Sequence, residues 1–420
     1  MKKFTLYLIL FLLPWSGYSQ QSTDSIAAPP PETHHQRLSG DLGGLAPKMV
    51  AHGVILLLSS THFYQGLLSG SGEHEFKYGG KGDAFLILDW EKLGLWKGFG
   101  MISHGEIRYG KSVFDEGGNL IPANTALLFP EEEGTAVALS SLFFTQKLGE
   151  KIKLMVGRIN TLDFLAMNHY YGGRGIDGFQ NIIFTAPPLD ARTTPVTTLG
   201  LMTVYDLEPL ELTLGAWDSR ERINEYGFSG LFDNGVSVTG ELALKTAWGG
   251  RKGKYAVGGT WSSLEETSLS NSAKLFLPNS ELPLAVEKGS WVVNFTFEQN
   301  LLGPAENPRS GWGIFGRAGI SDGNPNPLRW TAMGGIAGCP FSKRANDRFG
   351  LGYFKAGLSS DVKDRALLSL FVQNEQGAEA YYSFAPIPWF ILTANVQWIE
   401  PFRKRSDNAW YGGLRLKIKI

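Results

Sequence analysis

Along most of this chain, apolar and polar side chains alternate one for one. In the last stretch Leu414, Leu416, Ile418 and Ile420 alternate with Arg415, Lys417 and Lys419. Just before it, Phe390, Leu392, Ala394, Val396 and Trp398 share one parity, and Thr393, Asn395 and Gln397 the other. Ala366, Leu368, Leu370 and Val372 oppose Ser369 and Gln373, and Trp291, Val293, Phe295 and Phe297 oppose Asn294, Thr296 and Glu298. Val236, Val238, Leu242 and Leu244 oppose Ser237, Thr239, Glu241 and Lys245, and Leu210, Leu212 and Leu214 oppose Glu211 and Thr213. A period of two puts each set on one face of a β-strand. Turn residues separate the runs, no segment sustains a helical period, and no internal repeat emerges. The exception is a short helix predicted over Pro47–His52 and closed by Gly53.

An all-β chain of this kind is either a soluble sandwich or propeller, or a membrane barrel. Aromatic residues bracket the apolar runs near strand ends: Trp90, Trp248, Trp261, Trp291, Trp389, Trp398 and Trp410. Such bracketing matches interfacial girdles. The polar faces carry charges in succession, which suits a wet lumen. The pattern therefore predicts a transmembrane antiparallel β-barrel. Candidate strands number roughly seventeen, and bacterial single-chain barrels have even strand numbers, so sixteen are expected.

The first residues place the barrel in the cell. Lys2 and Lys3 precede an apolar run, Phe4–Leu13, broken by Pro14, with Gly17 and Ser19 before Gln20. This is the grammar of a secretory signal, 1–19, cleaved before Gln20. The run is too short to span a bilayer, which needs about 20 residues. Residues 20–37, with Pro29, Pro30 and Pro31, read as a flexible tether. The single cysteine, Cys339, excludes an intrachain disulfide and a lipidated cysteine after the signal. Lys+Arg 39 against Asp+Glu 40 leaves no basic field for nucleic acid. Charged residues at 19% are few, while aromatics reach 12% and Gly 52. With no later long apolar segment, the chain cannot be a helical membrane protein, whereas a barrel hides its apolar residues by alternation.

A channel selects by width, lining groups and electrostatics. On the strand 99–108, the parity that sends Phe99, Met101 and Ile107 to lipid sends His104, Glu106 and Arg108 inward. Arg158, Glu298, Arg317 and Arg415 are further candidate pore-lining residues, although the parity at Arg158 conflicts with Ile152, Leu154 and Val156. Opposite charges on one face set up a transverse field, and sugar hydroxyls can exchange water hydrogen bonds for bonds to such groups at little net cost. The bland alternative is a set of solvated lumen charges away from any constriction. Phe85, Phe315 and Tyr381 share the polar parity; they can stack on sugar rings, but wall packing or loop anchoring accounts for them as well.

Other chemistry finds little support. Gly173-Arg174-Gly175-Ile176-Asp177-Gly178 fits the dinucleotide fingerprint by letter but lacks the strand before and helix after that the motif requires. It reads as a glycine-rich loop, and the sequence leaves open whether that loop folds toward the pore. His34 and His35 are adjacent but have no partner at ligand spacing, so no metal is expected. No cofactor is expected either. The absence of a G-x-S-x-G elbow leaves a barrel hydrolase without a recognisable arrangement. A closed-lumen barrel that binds a partner is the main alternative to a channel.

Ordered patches resemble a known family. Leu38-Ser39-Gly40-Asp41-Leu42-Gly43-Gly44-Leu45, then Gly53-Val54, is similar to the opening of the carbohydrate-selective porins of the OprB type, with Leu42 where Trp is usual. Leu88-Asp89-Trp90-Glu91-Lys92-Leu93-Gly94-Leu95-Trp96-Lys97-Gly98, Leu154-Met155-Val156-Gly157-Arg158 and Gly313–Gly319 resemble later landmarks of that family. So do Asp322-Gly323-Asn324-Pro325-Asn326-Pro327 and Arg344, Asp347 and Gly350. The end matches best: Glu379-Ala380-Tyr381-Tyr382, Pro388-Trp389, Gln397-Trp398-Ile399 with Pro401, and Gly413-Leu414-Arg415-Leu416. The resemblance implies a porin β-barrel domain over 38–420, in the bacterial outer membrane, passing sugars and other small hydrophilic solutes down their gradient. Its partners would be those solutes and outer-membrane lipid, and trimers are common among porins of this size. Two departures are the final Ile420, where many such barrels end in an aromatic residue, and the region 215–290, which matches poorly.

Overall fold

The computed structural model describes residues 36–420 except 114–115, 130–133, 224, 226, 271–284, 304–310, 342–343 and 365–367. The expected signal, nearly all of the expected tether and the His34–His35 pair lie outside the described residues. Sixteen antiparallel strands close into one barrel. In chain order they are β1 (Val54–Ser69), β2 (Phe76–Asp89), β3 (Phe99–Gly110), β4 (Ala136–Leu148) and β5 (Ile152–Asn160). Then come β6 (Thr197–Leu207), β7 (Leu210–Asp218), β8 (Val236–Trp248), β9 (Arg251–Thr267), β10 (Val286–Leu302) and β11 (Trp312–Ser321). The wall is completed by β12 (Leu328–Gly338), β13 (Arg348–Leu358), β14 (Glu375–Ile387), β15 (Phe390–Glu400) and β16 (Ala409–Lys419). Closure is direct: β1 pairs with β2 on one side and with β16 on the other, Ser59 opposite Lys419 and Tyr64 opposite Leu414. No sheet edge is left open, as a barrel in lipid requires.

The two-residue rhythm governs which way each side chain faces. On β10 the outward Trp291, Val293 and Phe295 are exposed, and Val292 on the other parity is buried. On β15 and β16 the outward Leu392, Val396 and Leu414 are exposed while Thr393, Asn395, Gln397 and Arg415 are buried inside. Apolar surface facing outward all round a closed sheet is what the hydrocarbon of a membrane accommodates. Tryptophans mark both rims. Trp90, Trp248 and Trp389 sit by the short turns at one end, and Trp261 pairs with Trp291 and Trp398 with Trp410 toward the other.

The two rims differ in loop length. Residues 149–151, 208–209, 249–250 and 388–389 are tight turns, on the same rim as both chain ends of the barrel. Such short turns face the periplasm, and the long connections face outward. The predicted N-terminal helix is present as α1 (Leu45–Ala51), closed by His52 and by Gly53 at φ +85°. The segment ahead of it is tied to the periplasmic rim, where the Leu38 amide donates to the Lys419 carbonyl and the Arg37 guanidinium to the Leu56 carbonyl.

One predicted strand is corrected. Leu368–Leu370 is a single 3-10 turn, and Val372 makes one isolated bridge to Arg403. Backbone groups there bond across to the 401–408 loop, Gln373 N to Phe402 O and Lys404 N to Phe371 O, so the described residues 368–373 pair with that loop instead of the wall; Ala366 lies outside the described residues. The strand begins later, at Glu375. Inside the barrel, a core of Phe179, Ile183, Phe184, Leu189, Phe315, Phe354 and Tyr381 joins wall to loops. The lumen is therefore partly filled.

Candidate functional site

Two long extracellular connections turn into the barrel: the described residues of 111–135, between β3 and β4, and 161–196, between β5 and β6. The second is built from short helical pieces, each started by an asparagine side chain. Asn160 accepts from the Leu162 amide at the head of α2 (Thr161–Leu165), and Asn181 from the Ile183 amide at the head of α3 (Ile182–Thr185). These caps satisfy amides that would otherwise be buried unpaired. Between α2 and α3, the glycine-rich stretch makes a tight turn with Arg174 itself at φ 54°. Gly175, at φ +75°, passes so close to the other loop that a Cβ would meet the Ala126 nitrogen at 2.8 Å. Only glycine fits there.

Ionised and amide side chains of the wall hold this loop in place. Arg174 lies 3.0 Å from Asp83 and 3.3 Å from Asp163, and the His104 ring bridges the same two carboxylates at 3.0 Å each. Phe85 stacks on His104 at 3.8 Å between ring centres. Next to them Lys81 pairs with Glu106 at 2.7 Å, both side chains buried. Burial works against the charge of Arg174, but Asp83 and Asp163 outweigh it and hold the guanidinium protonated more firmly than usual. Burial likewise opposes the charge of Asp163, yet His104 and Arg174 keep its carboxyl below the ordinary range. Asp83, His104 and Glu106 gather metal-type ligand atoms. Arg174 meets Asp83 and His104, and Lys81 meets Glu106, so the arrangement is an ion-pair network that clamps the loop.

The clamp continues around the wall. Lys417 meets Asp177 at 2.5 Å, and Arg415 donates to the Gly175 carbonyl at 2.9 Å. Glu379 accepts from the Gln180 and Asn181 amides at 2.6 and 2.9 Å. Phe184 lies over Gly352 of β13, where a Cβ would stand 2.6 Å from its ring. The 111–135 loop is held in the same manner, with Glu375 accepting from the Leu120 and Ile121 amides and Gln397 donating to Ala123 O. The half of the lumen along β1–β3 and β12–β16 is thereby filled.

The other half is open. A cavity of ≈ 450 Å³ lies between the 161–196 loop and the wall of β6–β11. The wall supplies Glu211, Thr213, Trp217, Thr239, Glu241, Lys254, Thr260, Asn294, Thr296, Glu298 and Arg317; the loop supplies a mostly apolar side that includes Phe164, Pro187 and Pro188. Asp190 on the loop accepts from the Asn294 amide at 2.8 Å, and its burial pushes the carboxyl up to about 6, against Asn294 and Arg317. Arg317 stacks over the Tyr171 ring at 5.1 Å. Glu298 accepts from the Tyr170 amide at 2.8 Å.

The residues singled out in the sequence thus fall into separate places. Glu298 and Arg317 line the open cavity. His104, Glu106 and Arg415 sit behind the loop and clamp it. Arg108 points inward on β3 and is buried. Arg158 shares the outward parity of Val156, and its guanidinium donates to the carbonyls of Arg222, Ile223 and Glu225, which lie in the connection between β7 and β8. Phe85, Phe315 and Tyr381 are packed against His104, Tyr171 and Phe179. Sequence reasoning missed Asp190, Glu241, Lys254 and Arg174. The inward parity of Glu241 was legible on its strand. Nothing in the sequence reported the path of the loop that carries Asp190 and Arg174.

A closed, lipid-faced sixteen-stranded barrel, narrowed by two infolded loops and keeping a polar cavity beside them, is an outer-membrane channel. The model of the carbohydrate-selective porin, OprB family, matches residues 73–420, and the chain belongs to that family. It is an outer-membrane porin for the diffusion of carbohydrates and other small hydrophilic solutes. Among solved structures, the high-pH structure of Pseudomonas putida OprB is similar over 93% of this chain and 99% of that one, at 18% identity and a TM-score of 0.77. The low-pH structure of the same protein covers 93% and 100%, at 16% identity and a TM-score of 0.58. The outer membrane channel DcaP of Acinetobacter baumannii covers 87% and 97%, at 11% identity and a TM-score of 0.51. No curated protein sequence matches the chain.

Proposed function

We propose that solutes cross along the β6–β11 side of the lumen, and that neutral monosaccharides are the solutes best suited to it. The observation that carries this reading is the division of the lumen. Charged and amide anchors fill one half, while ≈ 450 Å³ remains open beside a wall of acids, bases, amides and hydroxyls. Such a wall offers a sugar both donors and acceptors, so leaving water costs it little. Glu298 and Arg317 are the lining residues of the original set that belong to the path. His104, Glu106 and Arg415 act on it indirectly, by fixing the loop that narrows it.

Two further points complete the reading. Residues 1–19 direct export and are cleaved before Gln20, which N-terminal sequencing of the purified protein checks. The exposed Leu, Val, Phe and Trp of the outer wall meet outer-membrane lipid. The function itself is tested by liposome swelling. Vesicles carrying the folded protein are expected to swell in isotonic glucose faster than in a trisaccharide. Vesicles that swell in neither sugar would remove the reading.

A further inference from the structure

A second cavity lies on the outside of the barrel. It is an open groove of ≈ 380 Å³ in the lipid-facing wall of β9–β12, toward the extracellular ends of β11 and β12. The register shows how it forms. Phe295 is opposite Val257 on one side and Ala318 on the other, Ala318 is opposite Ala332, and Ala332 is opposite Lys355 of β13. One outward row thus drops from Val and Phe to two alanines and rises again to a lysine. In the next row toward the extracellular rim, Ile320 stands between Val293 and Trp330. Trp330 leans away from the groove over Gly357, where a Cβ would stand 2.1 Å from its Nε1. In the next row toward the periplasm, Gly334 extends the floor, since only backbone lies within 4 Å of a Cβ placed there. The result is an apolar trough with a floor of small residues, a shape that seats a flexible acyl chain.

Cations stand at the edge and the extracellular end of this trough. Lys355 is exposed on the lipid-facing parity of β13, and no described residue accepts from its ammonium. A charge facing lipid is costly unless it reaches an interface or a counter-charge. A lysine does so by laying its methylenes along apolar surface and carrying the ammonium outward. Arg329, exposed at the extracellular end of β12, lies over the Trp291 ring at 5.9 Å and gives one donor to the Ser321 carbonyl. Trp291 is paired with Trp261, so this guanidinium sits at the aromatic belt, the level of lipid headgroups. Its fork has further donors for an acceptor. Carboxylates nearby are engaged elsewhere: Asp322 accepts from the Trp291 amide at 3.0 Å, and Glu400 accepts from Gln376, the residue opposite Lys355. A lipid without net charge would leave both cations without a counter-ion, and free phosphate would leave the trough unfilled. A lipid that carries phosphate supplies both needs in one molecule.

We propose that this groove binds a phosphate-bearing lipid of the outer leaflet, with an acyl chain over Ala318, Ala332 and Gly334 and its phosphate drawn by Lys355 and Arg329. The site is separate from whatever crosses the lumen and rests only on the outer wall facing lipid.

The test is native mass spectrometry of the full protein in detergent, titrated with lipid A, a phosphorylated glycolipid with several acyl chains. Wild type is expected to take up one lipid A saturably. Lys355→Gln and Arg329→Gln are each expected to raise the half-saturating concentration about fivefold, the scale of one cation at an anionic lipid surface. Ala332→Phe fills the trough and should weaken uptake with both cations intact, so it serves if a charge variant does not fold. Dephosphorylated lipid A should bind more weakly, and excess inorganic phosphate should not displace the lipid. Folded variants with unchanged half-saturation would overturn the site, as would equal uptake of the dephosphorylated lipid or displacement by inorganic phosphate. A wild-type protein that conducts ions but retains no lipid A would overturn the lipid site and leave the channel reading standing.

Discussion

Replacing Arg174 by methionine removes the cation that the turn of the 161–196 loop drives between Asp83 and Asp163. The side chain is 10% exposed, and its carboxylate partners are 2% and 12% exposed, so the loss is felt where water screens little. Removing one partner of a buried ion pair generally costs about 3–5 kcal/mol, because the other charge is left uncompensated. His104 stays within 3.0 Å of both carboxylates and Lys81 pairs with Glu106 nearby. The lower end, about 3 kcal/mol, is therefore expected. That shifts the balance between docked and undocked turn roughly a hundredfold. The remainder of the loop is held separately by Lys417, Arg415 and Glu379, so undocking is confined to the stretch around Arg174. Single-channel recording reads this directly. Arg174→Met is expected to give larger and noisier conductance and to admit longer maltodextrins than wild type. Adding Asp83→Asn should recover part of the steadiness, since removing both partners leaves less buried charge unpaired, with a coupling of about 0.5–3 kcal/mol. Wild-type conductance, noise and size cut-off in Arg174→Met would show that the clamp does not hold the loop.

Other perturbations probe other parts of the design. Glu379→Ala orphans the Gln180 and Asn181 amides, at about 1–3 kcal/mol each, so hydrogen exchange at those two amides should accelerate strongly while Ile121, held by Glu375, is unchanged; equal rates in both proteins would count against the anchor. Asp190 has its carboxyl pushed up to about 6 by burial, so it gains charge as pH rises through 6, and the preference for potassium over chloride should rise over pH 5–7 and lose that step in Asp190→Asn. The sign for stability follows: the unfolded carboxyl ionises first, so ionisation in the folded state costs about 2–3 kcal/mol by pH 7, and Asp190→Asn should raise the melting temperature at pH 7 but not at pH 4. On β8, Leu242→Arg faces lipid and should lose about 2–4 kcal/mol of barrel stability, visible in heat-modifiable electrophoresis. Glu241→Arg, one residue away and facing the cavity, should fold normally and shift the reversal potential toward anions; the opposite assignment of the two variants would mean that the parity is wrong.

The wall was legible because its cause is local. A period of two is written residue by residue, and β7, β8, β10, β15 and β16 could be read from neighbours alone. The segment 366–373 shows the limit of that rule. Its alternation is as good as that of a strand, but the described residues 368–373 find their bonds in the 401–408 loop, and pairing depends on where a partner lies. The lumen was harder for the same reason. Parity places Arg415 and Arg108 inside without saying what they meet, and the partner of Arg415 is the carbonyl of Gly175, 240 positions away. Glu298 and Arg317 reached the cavity while His104 and Glu106 were covered, because the loop leans on one side of the barrel. That lean comes from Arg174, Asp177 and the Gln180–Asn181 amides finding their counter-groups on β2, β3, β14 and β16. Arg158 conflicted with the parity of its strand, and its bonds to the Arg222, Ile223 and Glu225 carbonyls account for the conflict.

The asymmetry of the lumen has a physical rationale. Loops cost conformational entropy to order, and one that narrows a pore has solvent on its free side and gains nothing there. The 161–196 loop gains most from the side it leans on, where carboxylates meet its amides and Phe179 and Phe184 enter the barrel core. With most anchors on that side, the opposite wall meets the loop at fewer points, Asn294 at Asp190, Glu298 at the Tyr170 amide and Arg317 at Tyr171, and the cavity stays open beside them. A loop suspended across the middle would split its anchors evenly between two walls and close that cavity. Rigidity of the constriction and availability of the lining are thus bought by the same lean, and weakening either Arg174 or Glu379 should blur solute size selection before it touches the chemistry of the open wall.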